Sequence, residues 1–175
     1  CFYSNDVALA NNASHKSSEP IDITKEPTPK DWKRFMKQSE KKRFKMWKYF
    51  SAKGAKLGSW SWGWRIGWVR TCTFSKARFC GDILKAGLFD DAVVVRSETA
   101  VRMGNRYENS KNKIAIDLLK KAYMNKRNHR RGKPLFVQNR ILYSIRQIGG
   151  EHAMTAGRRL AKAHPMSESY WNRLQ

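Results

Sequence analysis

Acidic residues are scarce in this chain of 175 amino acids, which has 14 Asp and Glu against 36 Lys and Arg and a formal net charge of +22. Like charges repel one another in a compact protein, so an excess of this size predicts a polyanionic partner. Nucleic acid is the commonest partner of this kind. Hydrophobic residues make up 41% and aromatic residues 12% of the chain, which excludes a wholly disordered polycation.

Long hydrophobic runs are also missing. No window approaches the roughly 18 uncharged apolar residues of a membrane-spanning helix, which argues against an integral membrane protein. The sequence has no glycine-rich phosphate motif, no nucleophile elbow and no His-Glu metalloprotease motif, and it has no internal repeat. We therefore predict a protein that is not an enzyme and that has no cofactor and no small-molecule substrate.

Cysteine is sparse, with only Cys1, Cys72 and Cys80. A small odd number argues against a disulfide-stapled secreted domain, so we expect Cys72 and Cys80 to be buried or half-buried thiols in a reducing compartment. The histidines are scattered and show no zinc-ligand spacing, so we expect no metal site. His129 and His152 lie among basic residues, where a phosphate contact or no role is favoured over assistance to RNA cleavage.

Positive charge is concentrated in two parts of the chain. Residues 29–80 carry +13 and residues 108–175 carry +11, whereas residues 1–28 carry −2 and residues 81–107 carry no net charge. A general polyanion binder has no need of a neutral middle. This layout predicts RNA contacts on two sides and protein contacts between them.

Residues 1–28 are rich in Asn, Ser, Pro and Glu and lack periodicity, which predicts an extended or disordered tail. Residues 29–54 predict one basic helix. Thr28 can cap it, Pro29 suits its first position, and Gly54 can end it.

The aromatic residues of this basic helix fall on one stripe, and the other faces are almost all cationic. Two alternatives to RNA binding stay open: a solvated charged face, and an amphipathic helix on a membrane surface. The residues that we expect to contact phosphate here are Lys33, Arg34, Lys37, Lys41, Lys42, Arg43, Lys45 and Lys48.

Residues 58–74 form a Trp-rich segment with large apolar side chains at alternate positions. A period of two predicts a strand or extended segment with one aromatic face. Burial in the core or in a protein contact is favoured over base stacking, because four large rings are costly to leave in water. We expect Arg65 and Arg70 to contact RNA phosphates. The expected protein-contact residues are Trp60, Trp62, Trp64 and Trp68.

Residues 75–107 are a neutral packed region. The spacing of Phe79, Ile83 and Leu88 predicts a helix of about three turns. The β-branched run at 92–95 predicts a short buried strand. The acids of this region match no metal-ligand pattern, and we explain them as turn and cap residues.

Residues 108–175 form a basic helical part with helices expected before the loop at 126–134, over 135–148 with Phe136 facing the core, and over 151–163. The loop holds a dense group of cations together with Gly and Pro, which rule out a helix. Such a loop suits an RNA backbone, and a solvated loop is the alternative. The expected RNA contacts of this part are Lys126, Arg127, Arg130, Arg131, Lys133, Arg158 and Arg159.

Together these features predict a mainly α protein with about four to five helices, one short Trp-rich extended or β segment, and an irregular N-terminal tail. The high isoelectric point, the tail, the helices and the basic loops resemble ribosomal proteins, especially the lineage-specific proteins of mitochondrial ribosomes. The resemblance is one of composition and layout. It implies a structural component of a ribosome that binds ribosomal RNA and neighbouring ribosomal proteins.

Two other functions stay open. One is an accessory subunit of an organellar respiratory or ATP-synthase complex, with the basic helix on anionic lipid and the Trp segment at the membrane interface. The other is an RNA-processing factor. The chain does not begin with Met, and with free thiols this suggests a mitochondrial matrix protein after removal of a presequence, or a protein of another organelle.

Overall fold

The computed structural model describes residues 21–174. Within this range the chain forms nine α-helices and one two-stranded hairpin, so the expected four to five helices are too few and only the mainly helical character is confirmed. Single 3-10 turns lie at Leu57–Ser59 and Lys126–Asn128. The elements are α1 (Pro29–Lys37), α2 (Glu40–Ala52), α3 (Trp62–Thr71), α4 (Arg78–Gly87), α5 (Val93–Arg106), α6 (Lys113–Tyr123), β1 (His129–Arg130), β2 (Lys133–Pro134), α7 (Phe136–Ile148), α8 (Glu151–Ala161) and α9 (Pro165–Arg173).

The single basic helix predicted over 29–54 is two helices, α1 and α2. Ser39 has extended backbone, and its hydroxyl accepts a hydrogen bond from the Lys42 N–H, so it caps a second helix. The predicted cap of the first helix is confirmed. The Thr28 hydroxyl accepts a hydrogen bond from the Asp31 N–H, and the Asp31 carboxylate accepts one from the Thr28 N–H.

Most of the Trp-rich segment 58–74 is helix α3, so the prediction of an extended segment is wrong. Trp60, Trp64 and Trp68 are spaced by four residues. Positions that satisfy a period of two therefore also satisfy one stripe of a helix. The helical conformation is the stable one because it places that stripe in an aromatic core. There the Trp68 ring centroid lies 5.0 Å from that of Phe35 and 5.4 Å from that of Trp60.

Helix α3 also holds the chain that precedes α1. The Ser61 N–H donates to the Ile23 carbonyl at 2.8 Å. On the same helix a Cβ added at Gly67 would lie 3.1 Å from the ring of Phe35, so the missing side chain lets α1 pack closely. The described end of the expected tail is thus irregular chain packed on α3, and residues 1–20 lie outside the described residues.

Helix α5 connects the N-terminal helices to the C-terminal helices, because it packs on α3 and α4 and also on α7. The strand predicted over 92–95 is wrong, since these residues lead into and begin α5. Val95, Thr99, Ala100 and Met103 are all buried at helical spacing. Tertiary packing on this stripe outweighs the local β-preference of the valines.

The helices predicted over 135–148 and 151–163 are confirmed as α7 and α8. The last helix, α9, covers the core between α7 and α8. Its Trp171 ring lies so close to Gly157 of α8 that no Cβ fits between them. The buried hydroxyl of Tyr123 donates to Ser167 Oγ of α9 at 2.9 Å, which fixes α9 to α6.

Cys72 and Cys80 form a disulfide bond, with their Cα atoms 4.9 Å apart, so the prediction of free thiols is wrong. The bond joins the C-terminal cap of α3 to the first turn of α4, and both cysteines are buried. A reducing compartment was inferred from free thiols, and that inference loses its support.

Reduction of this disulfide should lower the free energy of unfolding by about 2–3 kcal/mol, because the bond closes a short loop and restricts the unfolded chain. Denaturant unfolding with and without a thiol reductant measures the difference. The double variant Cys72→Ser/Cys80→Ser is the control, and its unfolding midpoint should not respond to reductant. An unchanged midpoint in the wild-type protein would contradict the bond.

Candidate nucleic-acid interface

The predicted basic loop is a small β-hairpin between α6 and α7, which we call the basic hairpin (residues 126–134). Its strands pair antiparallel, with Arg130 opposite Lys133. The two turn residues, Arg131 and Gly132, have φ angles of 52° and 73°. Positive φ at both positions is the requirement of a two-residue type I′ turn. The hairpin therefore carries the Arg131 side chain at its tip.

The buried guanidinium of Arg96, 3% exposed, holds the basic hairpin against α5. Its Nε donates to Asn128 Oδ1 at 2.7 Å, and its Nη2 donates to the Arg127 carbonyl at 3.0 Å. Its Nη1 donates to the carbonyls of Asp90 and Asp91 at 2.7 and 2.8 Å. Burial lowers the pKa of Arg96, as does the nearby charge of Arg127. Arg96 is thus a structural clamp and not a phosphate ligand.

Two buried amides fix the hairpin to the neighbouring helices. The Asn128 Nδ2 donates to the Ala122 carbonyl of α6 at 2.8 Å. The Gln138 Nε2 of α7 donates to the Tyr123 carbonyl at 3.0 Å and lies 2.8 Å from His129 Nε2. The hairpin is therefore a fixed part of the fold. Both ring nitrogens of His129 have partners, because its Nδ1 lies 3.3 Å from the Asn125 carbonyl oxygen.

The cations of the basic hairpin are almost all free of intramolecular ion pairs. Arg127 pairs with Asp91, and Asp91 is exposed. No Asp or Glu occurs from residue 118 to residue 150. The hairpin is therefore a folded, positively charged projection. Four exposed cations of the hairpin have no ion pair with any residue in the range 21–174: Lys126, Arg130, Arg131 and Lys133.

Helices α1 and α2 form the second basic surface, with two cations partly engaged. Arg43 is half-buried and its guanidinium donates to carbonyls at the end of α1, including that of Gln38. Arg34 lies 3.4 Å from Asp31 in an exposed pair, which is a weak interaction. The predicted cations that are exposed and unpaired in the described part of the chain are Lys33, Lys37, Lys41, Lys42, Lys45 and Lys48.

Arg65 and Arg70 are held by acids of the neutral region, which the prediction of RNA contacts did not foresee. Arg65 Nη1 lies 3.3 Å from Asp90, and both side chains are largely buried. Arg70 Nε lies 2.7 Å from Glu98, and its guanidinium lies 5.7 Å from the centre of the Trp32 ring. Arg65 is paired and largely buried, so we remove it from the candidate interface. Arg70 stays a candidate, because its side chain is 40% exposed and it shares Glu98 with Arg102.

The Arg70 pair joins α3 to α5, and within α5 Glu98 also binds Arg102 at 2.7 Å. Burial opposes ionisation of Glu98, but hydrogen bonds from Arg70 and Arg102 hold its pKa below the usual 4.5. A carboxylate with a lowered pKa in the folded state contributes stability above its unfolded pKa. That contribution is lost as the pH falls through the folded pKa.

The variant Glu98→Gln should therefore be less stable than the wild type by about 1 kcal/mol at pH 7. The difference should shrink as the pH falls below 4.5, because Glu98 takes up a proton first in the unfolded chain and only at lower pH in the folded protein. Urea unfolding at pH 7 and pH ~3 measures both values. Glu168→Gln, at an exposed position, is the control and should change little. A difference that does not depend on pH would contradict the assignment.

Arg158 and Arg159 are both exposed on α8, which packs on α6. Arg159 lines a groove of about 710 Å³ between these helices, together with Lys120 and Lys121. The floor of the groove includes apolar residues such as Leu160. Lys121 is only five residues before the basic hairpin begins, so the basic rim of the groove is next to the hairpin along the chain.

The four tryptophans predicted to contact a partner protein divide into two groups. Trp60, Trp64 and Trp68 are 2%, 1% and 0% exposed, so they are core residues and have no surface for a partner. Trp62 is 49% exposed. Only Trp62 stays a candidate for protein contact.

Sequence reasoning missed an exposed face of α7, which we call the α7 stripe (Phe136, Arg140 and Tyr143). Phe136 was expected in the core, but it is 53% exposed, and Tyr143 is 41% exposed. The spacings of four and three residues place these side chains on one helix face, opposite buried Ile141 and Ile145. The same spacing is visible in the sequence, so it could have predicted this exposed face once the helix was placed.

Within residues 21–174, no helix is long and apolar enough to cross a membrane. No group of three or more His, Cys, Asp or Glu side chains there is arranged to hold a metal ion. Comparisons with family models, curated proteins and solved structures gave no match to this chain.

Proposed function

We propose that the chain is a non-catalytic, RNA-binding structural component of a ribosome, and that this ribosome is mitochondrial. The observation that carries RNA binding is the basic hairpin. It presents unpaired cations on a backbone that Arg96 fixes from inside the fold. Contacts with phosphates supply most of the affinity for RNA, and a site that is already ordered loses less entropy on binding. The ribosome, and its mitochondrial type, are proposed because the composition and layout of the chain resemble those of mitochondrial ribosomal proteins.

The proposed RNA surface has two parts. The basic hairpin is one, and the exposed lysines of α1 and α2 are the other. Asp90 pairs with Arg65 and Asp91 pairs with Arg127, so acids of the neutral region offset two of the cations outside these unpaired sets. We propose that neighbouring ribosomal proteins contact Trp62 and other exposed apolar side chains.

Sedimentation of the native protein tests this proposal. We expect it to move with ribosomal particles in a sucrose gradient and to shift to free fractions after RNase treatment. Migration with a detergent-solubilised membrane complex, unaffected by RNase, would contradict the proposal and favour an accessory membrane subunit. RNA cleavage that is lost in His129→Ala would instead favour a processing enzyme.

Salt dependence gives an independent measurement with purified protein and a structured ribosomal RNA fragment. If about four phosphates are neutralised, a fourfold rise in salt should lower the affinity about 50- to 150-fold. Binding that does not change with salt would contradict phosphate recognition.

A further inference from the structure

We infer that the α7 stripe binds unpaired RNA bases by stacking, while the basic hairpin holds phosphates of the same strand. This inference rests on the proposed RNA binding and names its ligand more closely: a single-stranded stretch of RNA. Rings and cations in alternation are the usual surface for such a strand, since rings take bases and cations take phosphates.

The stripe and the hairpin are continuous. Phe136 is three residues after Lys133, so their Cα atoms are no more than about 10 Å apart. From Phe136 the stripe runs away from the hairpin to Tyr143, about 10.5 Å along the axis of α7. Arg140 lies between the two rings on the same face and is exposed. A strand that leaves the hairpin can therefore meet a ring, a cation and a second ring in order.

The two rings of the stripe differ from two exposed rings of α2, which have aromatic partners. Phe44 packs on Phe79, with centroids 5.2 Å apart, and Tyr49 packs on Phe50 at 5.1 Å. Within the described residues, neither Phe136 nor Tyr143 has an aromatic neighbour. Phe136 is 53% exposed and Tyr143 is 41% exposed, so about half of each residue is open to a flat ligand.

Charge selects RNA over protein as the occupant. The stripe lies inside the stretch 118–150, which has no acid, and Arg140 has no ion pair in the described part of the chain. An apolar protein surface over the stripe would bury Arg140 without a partner, which is costly. A nucleic-acid strand supplies a phosphate for Arg140 and π-faces for the rings. The bases must be unpaired, because the faces of bases inside a duplex are covered by their neighbours.

The test measures binding of three labelled RNAs of equal length: an unpaired strand, a duplex, and an abasic strand that keeps its phosphates. The wild type should bind the unpaired strand more tightly than the abasic strand. Phe136→Ala/Tyr143→Ala should lower affinity for the unpaired strand about 100-fold, since each stacked base contributes about tenfold or more. Its affinity for the duplex and the abasic strand, and its salt dependence, should stay unchanged.

Two controls separate stacking from folding and from apolar contact. Phe74→Ala removes a ring that is 82% exposed and lies in the loop after α3, so it should keep wild-type binding. Phe136→Leu/Tyr143→Leu keeps apolar bulk but removes the π-faces, so it should lose affinity for the unpaired strand alone.

The outcomes distinguish this inference from the proposed function. If the wild type binds no RNA, both fail. If the alanine variant keeps full affinity for the unpaired strand, or loses affinity equally for all three RNAs, stacking is overturned and RNA binding stands. Full binding by the leucine variant would also overturn stacking. Loss of assembly into particles without loss of RNA affinity would assign the stripe to a neighbouring protein.

Discussion

Reversing two charges of the basic hairpin, in the variant Arg130→Glu/Arg131→Glu, should lower the affinity for structured RNA about 100-fold at ~0.1 M salt. Each substitution removes a phosphate contact and adds a charge that repels the phosphates. The slope of log affinity against log salt should become shallower by about 1.5 to 2, because roughly two fewer counterions are released. Fluorescence anisotropy over a series of salt concentrations measures both quantities.

The matched control is Lys76→Glu/Arg78→Glu, which changes the net charge by the same amount at two exposed positions. Both positions lie near a loop that is held by Arg106. Arg106 ends α5, whereas Arg96, which holds the hairpin, lies near the start of the same helix. The two ends are ten residues apart, about 15 Å along the helix. The control should weaken binding severalfold at most, through long-range charge alone. An equal loss in both variants would show that net charge, and not the hairpin, determines RNA affinity.

Replacing the buried clamp, in Arg96→Met, should lower the free energy of unfolding by about 3 kcal/mol. The substitution leaves the carbonyls of Asp90, Asp91 and Arg127 and the amide of Asn128 without their donor, and each unsatisfied buried group costs about 1 kcal/mol or more. Denaturant unfolding measures the loss. Hydrogen exchange should also quicken more in the basic hairpin than in α8.

Arg102→Met is the control for this prediction. Arg102 is on the same helix, but its side chain is 27% exposed and its acid, Glu98, keeps a second partner in Arg70. We expect it to cost less than about 1 kcal/mol. If the two variants are equally stable, the hydrogen bonds of Arg96 are not what holds the hairpin.

Local signals predicted some elements of the fold well and others badly. Thr28 and Pro29 mark the start of α1, and the pattern of apolar residues marks α7 and α8. Positions 60, 64 and 68 satisfy both a strand and a helix, so the sequence alone does not decide between them. What decides is the aromatic core formed with Phe35, a contact between distant parts of the chain.

The sequence predicted which residues supply the cations of the candidate site, but not that they lie on a β-hairpin. The density of cations at 126–134 predicts a surface that binds anions, whatever its conformation. The hairpin itself depends on Arg96, thirty-two residues from Asn128, and no local pattern reports that bond. For the same reason, Arg65 could not be removed from the interface by sequence, because its acid, Asp90, comes from another part of the chain.

The fixed form of the basic hairpin has a kinetic consequence. A basic segment that folds only on RNA adds a folding step after each encounter, whereas the clamped hairpin is ready at first contact. Diffusion and electrostatic steering then set the association rate. Salt screens exposed charges beyond about 8 Å at physiological ionic strength, so it slows capture, whereas the lifetime of the complex depends on the contacts made once the RNA is bound.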